Sequence, residues 1–220
     1  MLILGISTSS NIASVAINSD TECIKELNIN NNKTHSETLV PLIDELLKET
    51  NIKLQDINLI ACDNGPGSFT GIRIGISTVK AIAESLNIPV IAVSSLEGLA
   101  YNIHEAEYIC SLIDARNNQV YCGLFDSNYI LLGNYLADDI NTVLQVIDQH
   151  KPITFVGDGA IAHKDLLNIK DFKSDNLLHA KNINLCAVNK FSKGEILNAD
   201  SILPMYLRKS QAERMRNLNG

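Results

Sequence analysis

The chain has 220 residues, no tryptophan and only five prolines, and no apolar run approaches the ~18 residues of a membrane-spanning helix. Its five cysteines are an odd number without a Cys-x-x-Cys pair, and most lie in apolar runs, where thiols pack as small core residues. The first residues lead into a short apolar stretch with no basic region before it. We therefore expect no signal peptide, no membrane span, and a protein of a reducing cytoplasm.

Two common catalytic patterns are also missing. No two histidines stand four residues apart, so the sequence lacks the paired-histidine zinc motif of helices. Residues 65–69 fail the spacing of a hydrolase nucleophile elbow, and Ser68 is expected to cap a helix instead. The spacing of these residues therefore predicts neither a metalloenzyme nor a serine hydrolase.

The net charge of the chain is a weaker indication of function than these missing motifs. The net charge of −7 argues against a dedicated nucleic-acid binder, which would present a basic face. The exception is the C-terminus, where four basic residues surround Glu213: Arg208, Lys209, Arg214 and Arg216. This stretch is either a solvated helical tail or a contact for a partner or RNA.

The most informative segment is residues 64–80. A strand at 59–62 runs into a Gly-Pro-Gly turn, and a helix is expected over about 70–86. Gly67, Gly71 and Gly75 are spaced four apart and leave one helix face bare. Because glycine costs about 1 kcal/mol per helical position relative to alanine, the face indicates close approach of another backbone. Phosphate binding at the helix N-terminus is the second interpretation.

An amphipathic helix is predicted over residues 35–50. Its apolar residues recur at three- and four-residue steps, with charged residues opposite. Pro41 falls after the first turn, where it either disturbs the helix least or marks the true start of the helix.

The order of elements repeats along the chain. Residues 2–6, 13–17 and 24–29 read as strands, followed by helix, strand, helix, strand and helix up to about 101. Strands at 108–113, 120–125 and 130–135, a helix at 139–149, a strand at 153–156, a helix after it and one at 182–193 follow the same order. The pattern predicts an α/β protein with two lobes, residues 1–105 and 106–220, and a cleft between them.

Two further turns offer candidate binding groups. Asp114 ends a strand and could contact an ion or a phosphate-bound water, although an aspartate that caps a turn is an equal interpretation. Gly157 and Gly159 follow a strand and could let a nucleotide approach the backbone.

Several motifs together resemble the TsaB (YeaZ) family, the non-catalytic partner of TsaD in bacterial tRNA threonylcarbamoyladenosine formation. The motifs are residues 4–10, 14–16, 35–43, 65–75 (Gly-Pro-Gly-Ser-Phe-Thr-Gly-Ile-Arg-Ile-Gly), 114–116, 120–121, 157–160 and 204–208. They span nearly the whole chain. The resemblance implies an actin/Hsp70-like (ASKHA) ATPase fold with two duplicated lobes.

The resemblance also marks departures from the catalytic relatives. Ser95 and Leu99 stand where TsaD carries its metal-binding histidine pair. Ala115-Arg116 replaces the glycine of a phosphate loop, and Ser7 replaces a usual acidic residue. The resemblance thus implies that this chain is not an enzyme by itself and holds no metal.

The function implied is a scaffold that binds and stabilises a TsaD-like subunit, joined by a TsaE-like ATPase, with tRNA contacted only indirectly. In the absence of the partner, the same surface is expected to form a homodimer. The helices at 35–50 and 70–86 match the family's interface, which gives as candidate partner residues Leu39, Leu42, Ile43, Leu46, Gly71, Ile72, Gly75, Val79 and Ile82.

Two alternatives remain at this stage. One is a glycoprotease-like zinc metallopeptidase, and the other is a regulator that binds ATP or ADP, in the cleft or at a subunit interface, without hydrolysis. The candidate nucleotide- or phosphate-binding residues are Ser9, Gly67, Ser68, Asp114, Gly157 and Gly159.

Overall fold

Nine strands and six α-helices occur in a computed structural model that describes residues 1–30, 33–147, 152–172 and 175–208. The elements are β1 (Leu2–Ser7), β2 (Ala13–Ser19), β3 (Glu22–Ile29), α1 (His35–Thr50), β4 (Leu59–Asp63), α2 (Phe69–Leu86), β5 (Val90–Val93), α3 (Ser95–Ala100), β6 (Tyr108–Asp114), β7 (Gln119–Asp126), β8 (Leu136–Asp139), α4 (Ile140–Val146), β9 (Ile153–Val156), α5 (Asp158–Ala162) and α6 (Ala180–Ser192). None of the helices in these ranges is both long enough and apolar enough to cross a bilayer.

The strands form two sheets with the same construction. In the first sheet the order is β3-β2-β1-β4-β5, and in the second it is β8-β7-β6-β9. Each begins with an antiparallel three-strand meander, and a strand after a helix then pairs parallel to the first strand of that meander. The predicted duplicated, two-lobed α/β fold is confirmed.

The helices lie where the sequence pattern places them. In α1 the apolar positions face the first sheet, Pro41 lies inside the helix in its second turn, and Asn51 ends the helix at φ 54° in the left-handed conformation. In α2 the Ser68 hydroxyl accepts the Gly71 N–H at 3.2 Å, so Ser68 caps the helix as predicted.

Two predicted elements in the second half are corrected, the strand at 130–135 and the helix at 139–149. Residues 130–135 are not a strand, because Gly133 turns the chain at φ +80° and only Leu131 forms an isolated bridge, to Phe125. The strand that pairs with β7 is β8, immediately afterwards. Asp139 caps α4 rather than belonging to it, since its carboxylate accepts the Asn141 N–H at 2.9 Å. The helix also ends earlier than predicted, at Val146, because Ile147 is extended at φ −78° and ψ 135°; residues 148–149 of the predicted helix lie outside the described residues.

Three apolar clusters hold the helices of the described residues against the two sheets. One packs α1 and α2 on the outer face of the first sheet, and another packs α4 and α5 on the second sheet. Between the two sheets lie α3 and α6, whose apolar side chains join a shared cluster. The predicted division at residue 105 therefore separates the two sheets but not the helices, because α6 packs on strands of the first sheet.

Candidate functional site

A buried hydroxyl–carboxylate cluster lies where β1 and β4 end. Ser7 Oγ donates to Asp63 Oδ2 at 2.7 Å, and Ser95 Oγ donates to Asp63 Oδ1 at 2.6 Å. The Gly65 N–H adds a third donor at 3.0 Å. Burial raises the pKa of Asp63, and the hydroxyl donors partly offset that effect. The cluster ties the β1–β2 loop, the β4–α2 turn and the start of α3 together.

The bare face of α2 contacts the chain itself. Thr8 Oγ1 donates to the Gly71 carbonyl oxygen at 2.7 Å, and a Cβ at Gly71 would overlap the Thr8 carbonyl oxygen. A Cβ at Gly75 would overlap the Thr8 hydroxyl, and one at Gly67 the Ser9 carbonyl. The predicted close approach of another backbone is found, but within the chain: Gly71 and Gly75, which were predicted to face a partner, are buried against Thr8 instead. They admit the β1–β2 loop against the helix, so their role is internal.

The apolar stripes require the same correction. Among the predicted partner residues, only Ile82 is partly exposed. The others are buried in the first lobe: Leu39, Leu42, Ile43, Leu46, Ile72 and Val79 belong to its apolar cluster, and Gly71 and Gly75 lie beside that cluster. Helical periodicity identifies the face that a helix buries, and here the first sheet covers that face.

A groove between the outer faces of α1 and α2 remains accessible. It encloses about 410 Å³, and Val40 on its edge is 59% exposed. Its lining combines short polar and apolar side chains: His35, Ser36, Leu39, Val40, Thr70, Arg73, Ile74, Ser77 and Thr78. This groove is the accessible surface of the two helices that the sequence singled out.

The C-terminal segment runs along the side of α2. Lys80 Nζ donates to the Asp200 carbonyl at 3.1 Å, and the Arg73 Nε–H donates to Tyr206 Oη at 2.7 Å. The Tyr206 ring stacks on Phe69 with centroids 4.6 Å apart. Of the basic residues at the C-terminus, Lys209, Arg214 and Arg216 lie outside the described residues.

The larger cavity is the cleft between the lobes, with a volume of about 1020 Å³. Four of the six candidate nucleotide-binding residues line it: Ser9, Gly67, Ser68 and Asp114. Gly157 and Gly159 do not line it, because they pack against the backbone of β6 at Leu112 and Ile113. Their neighbour Asp158 does, and its carboxylate accepts the Asp114 N–H at 3.0 Å. Burial raises the pKa of Asp158, and the nearby Asp114 charge adds to that effect.

Sequence reasoning did not propose several polar residues of the cleft, among them Arg116, Asn117 and Asn176. Arg116 and Asn117 line it from the β6–β7 turn, and Asn176 lines it from the segment before α6. Arg116, Asn117 and Asn118 all have positive φ, at 65°, 54° and 59°. The Asn-Asn pair was the available signal, since asparagine tolerates the left-handed conformation.

The two positions that the resemblance aligned with a histidine pair have other roles. Ser95 donates to Asp63, and Leu99 is buried in the cluster between the sheets. Across the described ranges there is no group of three or more histidine, cysteine, aspartate or glutamate side chains placed to hold a metal ion.

Two sheets of matching topology, with a cleft between them, define a two-lobed α/β protein of the actin-like (ASKHA) class. The sequence model of the family described as TsaD, tRNA N6-adenosine threonylcarbamoyltransferase, matches residues 25–214. The tRNA threonylcarbamoyladenosine biosynthesis protein TsaB of Bacillus subtilis (strain 168) is 34% identical over 223 residues, 97% of this chain and 96% of that protein. The protein of the same name from Escherichia coli (strain K12) is 30% identical over 96% of both chains.

A solved structure agrees with these sequence relationships. YeaZ from Pseudomonas aeruginosa has a TM-score of 0.79 and 29% identity, covering 94% of this chain and 99% of its own. The chain belongs to the TsaB (YeaZ) family, which confirms the resemblance found from the motifs.

Proposed function

We propose that this chain is the non-catalytic scaffold and activator subunit of the machinery that forms threonylcarbamoyladenosine at position 37 of tRNAs reading ANN codons. It binds and stabilises a TsaD-like catalytic subunit, a TsaE-like ATPase joins the assembly, and tRNA is contacted only indirectly. The names of the Bacillus and Escherichia relatives support the pathway, since both are tRNA threonylcarbamoyladenosine biosynthesis proteins.

The observation that carries the scaffold role is the groove between α1 and α2. A valine that is 59% exposed beside a groove of about 410 Å³ offers apolar area that a partner helix would remove from water. The short side chains of Ser36 and Ser77 in the lining allow another helix to approach closely. In the absence of that partner, a second copy covers the same groove as a homodimer.

The Asp63 cluster supports a role without catalysis. Both carboxylate oxygens of Asp63 accept hydrogen bonds from within the chain, and the whole cluster is buried. A carboxylate held in this way serves the fold and does not face a substrate.

Size-exclusion chromatography with light scattering tests the scaffold role on mixtures with the TsaD homologue of the same organism. We expect wild type to form a heterodimer and Val40→Asp to lose it, because a buried carboxylate without a partner costs several kcal/mol. Val146→Asp is the matched control, since Val146 is also exposed, at 64%, but lies on α4 of the second lobe.

The Val146→Asp control shows whether loss of the heterodimer in Val40→Asp is local to the groove. A heterodimer that survives Val40→Asp would place the interface elsewhere, and a wild type that forms no complex would contradict the scaffold role. Equal loss with Val146→Asp would show that the effect is not local to the groove.

A second candidate function is a nucleotide-binding regulator, which we propose on the basis of the cleft. Gly67 and Ser68 directly precede α2, and Ser9 lies beside them in the β1–β2 loop. The N–H groups of the first turn of α2 favour a phosphate, and Arg116 is a cation in the same cavity.

Isothermal titration with ATP and with ADP tests this second function. We expect saturable binding that Arg116→Ala weakens about tenfold, as loss of a charge-assisted hydrogen bond predicts. Arg73→Ala is the matched control, because Arg73 lines the groove between α1 and α2 instead of the cleft. No measurable binding would remove this candidate, and a loss with Arg73→Ala alone would place the nucleotide at the subunit interface.

A further inference from the structure

Charge is distributed unevenly in the groove between α1 and α2. Among the described residues that line the groove, Arg73 is the only arginine, lysine, aspartate or glutamate. The other ionisable side chain of the lining, His35, contacts the β1–β2 loop, since its Nε2 lies 2.8 Å from the Ser10 carbonyl oxygen. The groove therefore combines apolar and hydroxyl side chains with one permanent cation.

Arg73 is exposed, and the C-terminal segment orients it from one side. Its Nε–H donates to Tyr206 Oη at 2.7 Å, and its guanidinium carbon lies 5.6 Å from the centre of the Tyr206 ring. That ring is stacked on Phe69, the first residue of α2, with an interplanar angle of 13°. Tyr206 thus spans one turn of α2 and holds the guanidinium group in place at Nε.

The other donors of Arg73 are not used within the part of the chain that the structure describes. There the two Nη groups have no hydrogen bond or ion pair with a protein group. A guanidinium group is planar, and its N–H fork matches the two oxygens of a carboxylate. Because Tyr206 already fixes Nε, the side chain has less freedom to lose when a carboxylate binds. Arg73 is therefore prepared to bind a carboxylate at the accessible groove.

We propose that Arg73 selects the occupant of the groove, a partner helix that presents an aspartate or glutamate to Arg73 and an apolar side chain to Val40. This inference rests on the proposed function and adds the chemistry of the partner surface. Val40 belongs to α1 and Arg73 to α2, so a helix that lies along the groove contacts both. The docked helix excludes water, which strengthens a charge-assisted hydrogen bond between Arg73 and a carboxylate.

The same arginine disfavours a second copy of the chain. When two copies pair groove to groove, the described lining residues bring together two arginines and no carboxylate. Each arginine then loses water without gaining an anionic partner, which opposes association. Arg73 therefore strengthens binding to an acidic partner and weakens the homodimer, so the groove prefers the heterodimer although both complexes use it.

Analytical ultracentrifugation tests this preference on the full chain, alone and mixed with the TsaD homologue of the same organism. We expect Arg73→Gln to weaken the heterodimer about tenfold, as loss of a charged hydrogen bond predicts, and to tighten the homodimer. Arg73→Lys keeps the charge and is expected to keep the wild-type order of the two affinities. Lys80→Gln is the matched control and is expected to change neither affinity, since Lys80 is a cation of α2 outside the groove lining.

An exchange of charges identifies the carboxylate on the partner. We expect Arg73→Glu to abolish the heterodimer, and replacement of acidic residues of the homologue by arginine, one at a time, to restore it at one position. The inference is overturned if no replacement restores binding, or if Arg73→Gln leaves the heterodimer unchanged, weakens both associations alike or does not tighten the homodimer.

The proposed function and this inference fail in different ways. A wild type that forms no heterodimer would contradict the proposed function and remove the inference with it. Loss of the heterodimer with Val40→Asp but not with Arg73→Gln would leave the scaffold role intact and overturn only the role of Arg73.

Discussion

At the scale of single residues, Asp63 and Ser95 show what a linear sequence conceals. They are 32 residues apart, yet their side chains are 2.6 Å apart inside the first lobe. Neither residue type nor local spacing indicates this pair, because it forms only when α3 is placed beside the end of β4.

Gly71 is a position where any side chain would overlap the backbone of another segment. Gly71→Ala would gain about 1 kcal/mol of helix propensity, but the new methyl group would overlap the backbone carbonyl of Thr8. Because backbone cannot yield cheaply, we expect a net loss of roughly 2 kcal/mol in the free energy of unfolding. Urea denaturation measures it.

Gly98→Ala is the matched comparison for that prediction. Gly98 also lies in a helix, but its added methyl group would meet the flexible ends of Ile183 and Leu178. We expect a change within about 1 kcal/mol, since those ends can rotate away. Equal losses at the two positions would show that the contact with Thr8 is not decisive.

At the scale of elements, α1 and α2 were predictable and their partners were not. The three- and four-residue spacing of apolar residues in α1 fixes a helix with one buried face, and the structure confirms it at His35–Thr50. Periodicity cannot say whether that face meets the chain's own sheet or another protein. In this protein the apolar faces of α1 and α2 pack on the first sheet, and the groove between the two helices is accessible on the opposite side.

Residues 202–208 form no helix or strand and contact α2 through Tyr206. We expect Tyr206→Ala to lower the free energy of unfolding by about 2 kcal/mol, because it removes both the stack on Phe69 and the part of this 41% exposed residue that the chain covers. Tyr206→Phe keeps the stack and loses only the hydrogen bond from Arg73, so we expect a loss within about 1 kcal/mol. Urea denaturation of both variants measures the difference, and equal losses would contradict a role for stacking.

At the scale of the whole molecule, helix α6 of the second half of the chain packs on the sheet of the first half. The Ala180 N–H at the start of α6 donates to Ser14 Oγ on β2 at 2.9 Å, and Asn184 Nδ2 donates to Asn18 Oδ1 at 2.9 Å. A strand of one lobe thus caps a helix from the other half of the sequence. This is why the lobes cannot be divided at a single residue.

Local regularities in the sequence determined the helices α1 and α2, the meander that opens the first half, and the repeated order that implies two lobes. These features depend on residues a few positions apart, so periodicity and turn chemistry are sufficient to find them. Only the tertiary structure decided that the glycine face is internal, that Gly157 and Gly159 pack on β6, and that His179 joins Glu26 to Asp175. Those contacts are made by residues distant in the chain, and their partners are fixed by how the sheets and helices pack together.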